Sequence, residues 1–374
     1  MTDTQTSSNA PPAAEASLLP ELGYYALSRH PVDPAELAEE ARLADREGYG
    51  AAFVSERFNV KDAAVLAGGL AAATRRMGIA TAATNHNTRH PIITASMGAT
   101  LSTMTGGRFA LGLGRGFAAQ WQVLGVPDVT SAQLTDTVGV LRTLWRGEMI
   151  LGHDGPLGKY DYLNLGVAVP PVPIMLVTMS PNTLRLAGRI SDGVVLHTFF
   201  SDEATSTAVR TVRDAAEQAG RDPAAIRIWS VLATVPDHFD DADRLRRLYG
   251  RLATYLQGYP DVLMRANGWD ANDLDRVRGS AAFAGARGPI DATATVEELS
   301  ELAGVIPASW IADSAVGGAR DCAAAIARQF ELGVDSVIMH GAAPSELLPV
   351  VDAYRTLRPD LPALPVNPGS IHAP

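Results

Sequence analysis

The sequence predicts an α/β protein of the (β/α)8 TIM-barrel class carrying two insertion segments. Three observations predict it: eight short apolar runs, the absence of polar alternation within them, and a helical pattern behind each. The runs lie at 22–26, 51–55, 78–83, 109–112, 174–177, 193–197, 226–234 and 336–339. A short strand apolar on both faces is buried on both sides, which marks a parallel sheet. Eight such strands with right-handed crossovers close into a barrel. A doubly wound open sheet is the alternative, and no strong dinucleotide fingerprint near the N-terminus favours it. A chain of 374 residues with 47% hydrophobic content can bury a core of that size.

Behind the first strand, Asp33 reads as a helix N-cap, Pro34 as the first helical residue and Glu36 as the partner closing a capping box. Leu37, Ala41 and Ala44 share one face of that helix, and Gly48 ends it. Helices are expected at 62–73, 92–105 and 131–146. Residues 148–166 hold Gly152, Gly155, Pro156 and Gly158 and read as a hairpin excursion, the first insertion, near 148–170. Helices at 182–189 and 202–219 resume the alternation. The second insertion, 240–316, places Leu245, Leu248, Leu252 and Leu256 on one helical face, expected to pack on the barrel. Helices at 319–332 and 345–357 complete the domain, which spans 19–360. Residues 1–18 carry no Lys or Arg and are expected to form a disordered tail. Residues 361–374 are read as a proline-rich tail over the surface.

Composition excludes several functions. A net charge of −10 does not attract a phosphate backbone, so no nucleic-acid partner is expected. One cysteine, Cys322, excludes a disulfide scaffold and a multi-cysteine zinc site. No apolar run is long enough for a membrane helix or a signal peptide, so a cytoplasmic protein without a membrane partner is expected. Pairing into a homodimer through outer helices stays open. The expected partner is a small-molecule substrate.

In a barrel, chemistry belongs at the C-terminal strand ends. The residues there are Ser55-Glu56-Arg57, Thr84-Asn85-His86, Gly114-Arg115-Gly116, Thr178 to Asn182, His197-Thr198 and His340-Gly341. Lysine occurs only at Lys61 and Lys159, neither at a strand end, which disfavours Schiff-base chemistry. Glu56 is the sole acidic residue there and no His-x-His occurs, which disfavours metal hydrolysis. A rim this poor in reagents borrows its chemistry from an organic cofactor. The run Gly112-Leu113-Gly114-Arg115-Gly116 reads as close approach of backbone to a flat ligand rather than as a Rossmann turn, since residues from Phe117 onward do not read as a helix start. Ser180-Pro181 starts a helix whose free N–H groups can seat an anion, although simple capping explains it equally.

Four blocks then resemble the bacterial luciferase-like superfamily: Gly50-Ala51-Ala52-Phe53-Val54-Ser55-Glu56, Thr84-Asn85-His86-Asn87-Thr88-Arg89-His90-Pro91, the stretch from Thr105 to Gly114, and the stretch from Leu184 to Val194. The resemblance covers residues 21–358 and is strongest to the actinobacterial branch using the deazaflavin coenzyme F420. It implies a barrel whose mouth is narrowed by insertions and a non-proline cis peptide at Ala82–Ala83 against the cofactor ring. It further implies ring contacts from Glu56 and Asn85, contacts along the cofactor's middle from Arg115, Gly116 and Gln120, and a phosphate end held by Met179, Ser180, Asn182 and Thr183. The family's sugar-phosphate dehydrogenases carry histidine where this chain has Arg57, and glutamate where it has Phe117. Their acid–base step is therefore not transferred. Phe117, Trp121 and Phe199, with Arg57 and His340, are expected to line a more apolar substrate pocket.

The function expected is F420-dependent hydride transfer to or from a small organic substrate, with Glu56, His86 or His197 handling the proton. The alternatives are an FMN-dependent monooxygenase using O2 and a partner reductase, and a flavin-binding protein without catalysis.

Overall fold

The computed structural model describes residues 15–29, 32–58 and 60–372. Its strands in chain order are β1 (Leu19–Tyr25), β2 (Tyr49–Val54), β3 (Gly78–Thr81), β4 (Phe109–Gly114), β5 (Ile150–Gly155), β6 (Gly158–Leu163), β7 (Ile174–Val177), β8 (Gly193–Val195), β9 (Arg227–Pro236), β10 (Ala315–Gly317) and β11 (Ser336–His340). Eight of them form a closed parallel ring. From β1 it runs through β2, β3, β4, β7, β8 and β9 to β11, which pairs back onto β1. The fold is thus the (β/α)8 barrel that the apolar runs imply.

Side chains along each strand alternate between two cores, as the two-residue period of a strand requires. Phe53, Ala80, Ala110, Met175, Val195, Trp229 and Ile338 point inward and fill the barrel. Their neighbours Ala52, Ile79, Leu111, Ile174, Val194, Ile228 and Val337 point outward against the helices. Both sets are fully buried, so strands of three to ten residues need no polar face.

The first insertion is the antiparallel hairpin of β5 and β6, exposed over much of its length. The second builds a core of its own. Leu248, Leu252, Leu256, Leu263, Leu299 and Leu302 pack together and onto Ala233 and Val235 of β9 and onto Phe199. β9 runs to Pro236, beyond the expected end, and pairs there with β10, which seats the insertion over the mouth.

Four local expectations are corrected. Asp33 caps a 3-10 turn, Pro34–Glu36, and Glu36 closes no capping box; its carboxylate instead meets Arg29 at 2.8 Å. A helix does follow Phe117, at Ala118–Leu124. Of the expected N-terminal tail, residues 1–14 lie outside the described residues, but 15–18 are tied down. The Ala16 N–H donates to the Arg46 carbonyl at 3.0 Å, and Arg76 and Arg355 donate to the Ala16 and Ser17 carbonyls.

The C-terminal segment does not run free over the surface either. Pro365, Asn367 and Ser370 offer carbonyls to the Arg227 guanidinium at 3.1, 2.8 and 3.3 Å, and Pro368 accepts from Trp229 Nε1 at 2.7 Å. Asn367 Nδ2 donates to the Gly107 and Phe109 carbonyls. A proline-rich stretch has more acceptors than donors, and a buried arginine with five N–H groups matches that imbalance. The segment therefore covers the N-terminal end of the barrel, opposite the mouth.

Candidate functional site at the barrel mouth

All the expected rim residues fall at the C-terminal ends of the ring strands, so Glu56 and Ser180 lie on one rim. At β2, Glu56 is held on both oxygens. Arg89 binds Oε1 and also reaches Oε2 at 3.0 Å, while the Thr84 hydroxyl donates to Oε2 at 2.6 Å. The Glu56 side chain is 2% exposed and that of Arg89 14%, so this is a buried ion pair. Beside it lies a cleft of about 460 Å³ bounded by Phe58, Val60, Lys61 and Arg89.

The Ala82–Ala83 bond beyond β3 is cis. Asn85 Nδ2 donates to the Gly114 carbonyl at 2.8 Å, tying this loop to β4. His86 is buried, and its Nδ1 has no hydrogen-bond partner. Burial pulls its pKa down to about 4, so the imidazole is neutral.

The β4 glycines have a reason other than the one the sequence suggests. A Cβ on Gly112 would stand 1.9 Å from the Thr81 carbonyl oxygen, and one on Gly114 would stand 2.8 Å from Ala83 Cβ. Gly112 lets β4 pass close to the β3 backbone, and Gly114 makes room for the Ala83 side chain just beyond β3. Gly116 has φ +61°, and a Cβ there would strike the Trp121 ring at 2.1 Å. Trp121 is buried beneath this loop with Nε1 donating to the Arg115 carbonyl at 2.8 Å, so it props the loop rather than opening onto a pocket. The Arg115 guanidinium is bound to the Val129 carbonyl at 2.6 and 2.8 Å. Gln120 is half-buried on the short helix, and Phe117 is exposed at the rim.

At β7 the helix Pro181–Ile190 begins with Ser180 as N-cap, its hydroxyl accepting from the Thr183 N–H at 3.3 Å. Met179 and Ser180 are half-buried, Asn182 is exposed and Thr183 is buried. This leaves the helix N-terminus open to the mouth, with its positive end available to an anion.

The remaining wall is a polar network that β8, β11 and the second insertion build together. His197 Nδ1 lies 2.8 Å from the Thr198 carbonyl and Nε2 lies 3.0 Å from the Tyr259 hydroxyl. His340 Nδ1 meets the Thr198 hydroxyl at 2.8 Å, and its Nε2 meets Arg251 Nη1 at 2.9 Å. Arg251 pairs with buried Asp291 at 2.8 Å. Burial lowers the pKa of His197 to about 4; burial and then the Arg251 charge push His340 well below the usual histidine value. Arg57, held below its usual value by burial and then by Arg251, faces the same wall. Phe199 is buried in the insertion core with φ +63°, its ring 6.0 Å from Tyr255.

Sequence reading missed five contributors: Arg89, Tyr255, Tyr259, Arg251 and Lys61. Lys61 is buried, and its Nζ donates to the Ala26 and Leu27 carbonyls at 3.1 and 2.5 Å, at the end of β1. Glu40 accepts from the Leu27 N–H at 3.0 Å and completes that clamp. Arg89 sits inside the Thr84–Pro91 block and could have been found there; Tyr259 is marked only by the proline that follows it.

Residues 18–336 match the model of the luciferase-like monooxygenase family. The chain belongs to this family. A relative of this luciferase-like protein is the 5,10-methylenetetrahydromethanopterin reductase of Methanolobus tindarius, 27% identical over 311 residues, covering 82% of this chain and 91% of the relative. Among solved structures, the coenzyme F420-dependent tetrahydromethanopterin reductase from Methanopyrus kandleri superposes with a TM-score of 0.71 at 20% identity, covering 90% of this chain and 97% of that one. An F420-dependent secondary alcohol dehydrogenase, solved with an F420–acetone adduct, superposes with a TM-score of 0.65 at 20% identity, covering 91% and 97%. Among the described residues of this family member, no helix is long and apolar enough to cross a membrane, and no three metal-ligating side chains gather.

Proposed function

We propose that this luciferase-like protein is a coenzyme F420-dependent oxidoreductase that moves a hydride between the deazaflavin and a small organic substrate. The observation that carries the reading is the engagement of the rim's carboxylate, its lysine and one of its histidines. Glu56 is bound on both oxygens, Lys61 is bound to two backbone carbonyls, and His340 is bound on both ring nitrogens. Such a mouth needs a cofactor for its chemistry. The names of the F420-dependent structural neighbours support the same choice.

The residues present fit a flat, phosphate-bearing ring system. The open N-terminus of Pro181–Ile190, with Met179, Ser180, Asn182 and Thr183, would hold the phosphate end. Ala82, Ala83 and Asn85 would lie along the ring, and the unpartnered Nδ1 of buried His86 is a polar atom that a bound ring could satisfy. Gly116 and Gln120 would flank the cofactor's middle; Arg115 would act there by holding the loop at Val129. Bound, the coenzyme supplies a ring carbon that gives or takes a hydride. Glu56, through Arg89 and Thr84, would fix the loops beside the ring, and Arg57, Phe117 and His340 would shape the substrate side.

A second reading, an FMN-dependent monooxygenase using O2 and a partner reductase, is favoured by the family that the chain matches. Titration of the purified protein with F420 and with FMN separates the two. Tighter binding of F420, and no oxygen uptake with reduced FMN, is expected; tighter binding of FMN overturns the assignment.

A further inference from the structure

We propose that Tyr259 and His197 are the proton-transfer pair of this mouth, with Tyr259 Oη meeting the oxygen of an alcohol or of the carbonyl compound formed from it. The inference rests on the F420-dependent reading and adds to it a residue pair and a substrate class.

The placement of Tyr259 follows from the residue after it. Pro260 cannot continue the helix Arg251–Gly258, and it drives the preceding residue out of the helical region. Tyr259 accordingly has φ −153° and ψ 54°, and the break turns it towards β8. Its ring stacks on Tyr255 with centroids 5.7 Å apart and meets the His197 ring edge-on at 5.2 Å. Phe117, on the opposite side of the mouth, lies 6.3 Å from it. Tyr259 is half-buried as a residue, and burial pushes the pKa of its phenol up, so the hydroxyl stays protonated and donates.

The direction of the hydrogen bonds is dictated by their partners. A carbonyl can only accept, so His197 Nδ1 carries the hydrogen that goes to the Thr198 carbonyl. The neutral ring then has a bare Nε2, which accepts from the Tyr259 hydroxyl. That leaves the Tyr259 oxygen lone pairs directed away from His197 and able to accept a proton. His340 differs in this respect. Arg251 can only donate, so His340 Nε2 is an acceptor locked beside a positive charge, while its Nδ1–H holds the Thr198 hydroxyl. His340 is therefore a positioning residue for Thr198, and His197 is the histidine with room for a proton.

In the oxidising direction, the alcohol carbon loses its hydride to the oxidised deazaflavin. The alcohol O–H proton passes to Tyr259 Oη as the Tyr259 proton passes to His197 Nε2. The carbonyl product, reduced coenzyme and a protonated imidazole result, and that imidazole keeps both hydrogen bonds by donating to Tyr259 and to Thr198. Burial favours its neutral form, so the proton returns through Tyr259 to solvent.

Two measurements on the full chain test the pair. Nitrogen-15 NMR of histidine-labelled protein, without cofactor, is expected to show His197 as the Nδ1–H tautomer, with an Nε2 resonance that shifts in Tyr259→Phe. An Nε2–H tautomer, or no shift, overturns the pairing. With F420 and a panel of linear, branched and cyclic primary and secondary alcohols, Tyr259→Phe is expected to lower kcat about 100-fold and to abolish the solvent deuterium isotope effect, with F420 affinity within about twofold of wild type. An unchanged kcat, or a wild type that binds F420 and oxidises none of the panel, overturns the role. Failure of the wild type to bind F420 overturns the cofactor reading instead, while the NMR result still decides the pairing.

Discussion

At His86 burial alone sets the charge state of the side chain. The imidazole is buried with Nδ1 unpartnered, and that environment holds its pKa near 4, against about 6.5 in an unfolded chain. Between those values the unfolded chain binds a proton that the folded protein does not. Stability from this residue is therefore complete above pH 6.5 and is lost as pH falls towards 4. His197 adds a loss of the same sign. Glu40, raised to about 7 by its burial, takes up its proton in the fold first and opposes them. His86→Asn is expected to flatten the acid limb by one proton, about 1.4 kcal/mol per pH unit between 4 and 6.5. The check is the urea midpoint of wild type and variant across that range. Parallel slopes would mean that His86 is charged in the folded protein.

At the scale of elements, β4 shows how much the pattern could reveal. Its place in the ring was legible because Phe109, Leu111 and Leu113 are apolar outward and Ala110 apolar inward. The purpose of its glycines was not, because the atom that excludes a side chain at Gly112 is the Thr81 carbonyl on a different strand. Gly112→Ala is expected to destabilise by about 3 kcal/mol, since backbone cannot move aside as a side chain can. Gly139→Ala, in the helix Ser131–Trp145 with no atom within 4 Å of the new methyl, is expected to be neutral or to stabilise by up to about 1 kcal/mol. Equal urea midpoints for the two variants would refute the close approach of β3 and β4. The same distinction covers the mouth. Glu56, His86 and His197 were legible as polar residues ending apolar strands. Their partners Arg89 and Tyr259 lie 33 and 62 residues away along the chain, and no periodicity reports such a pairing. The early start of β1 was hidden likewise: Pro20 and Glu21 precede the expected apolar run at 22–26, but Glu21 is buried against Arg358 and Tyr354 from the far end of the chain.

For the molecule as a whole, the two ends of the barrel are joined through its interior. The C-terminal segment lies on Arg227 and Trp229 at the closed end. Trp229 packs edge-on against Phe53 at 4.8 Å, Phe53 lies 6.2 Å from Tyr25, and Tyr25 lies 4.9 Å from His340 at the mouth. Arg227 is completely buried, with its guanidinium 4.6 Å over the Trp229 ring, so its charge is tolerable only while carbonyls surround it. Removing residues 362–374 takes away the Pro365, Asn367 and Ser370 acceptors and leaves the Pro20 carbonyl and the Ser336 hydroxyl. The shortened chain is expected to lose about 3–5 kcal/mol, the usual effect of leaving a buried charge uncompensated. Arg227→Met separates that cause from simple loss of packing. In the full chain the substitution strands three carbonyls of the segment; in the shortened chain it removes the uncompensated charge. Its effect on the urea midpoint should therefore be strongly destabilising in the first and near neutral or stabilising in the second. Equal effects in both backgrounds would show that the segment covers the barrel without being held by Arg227.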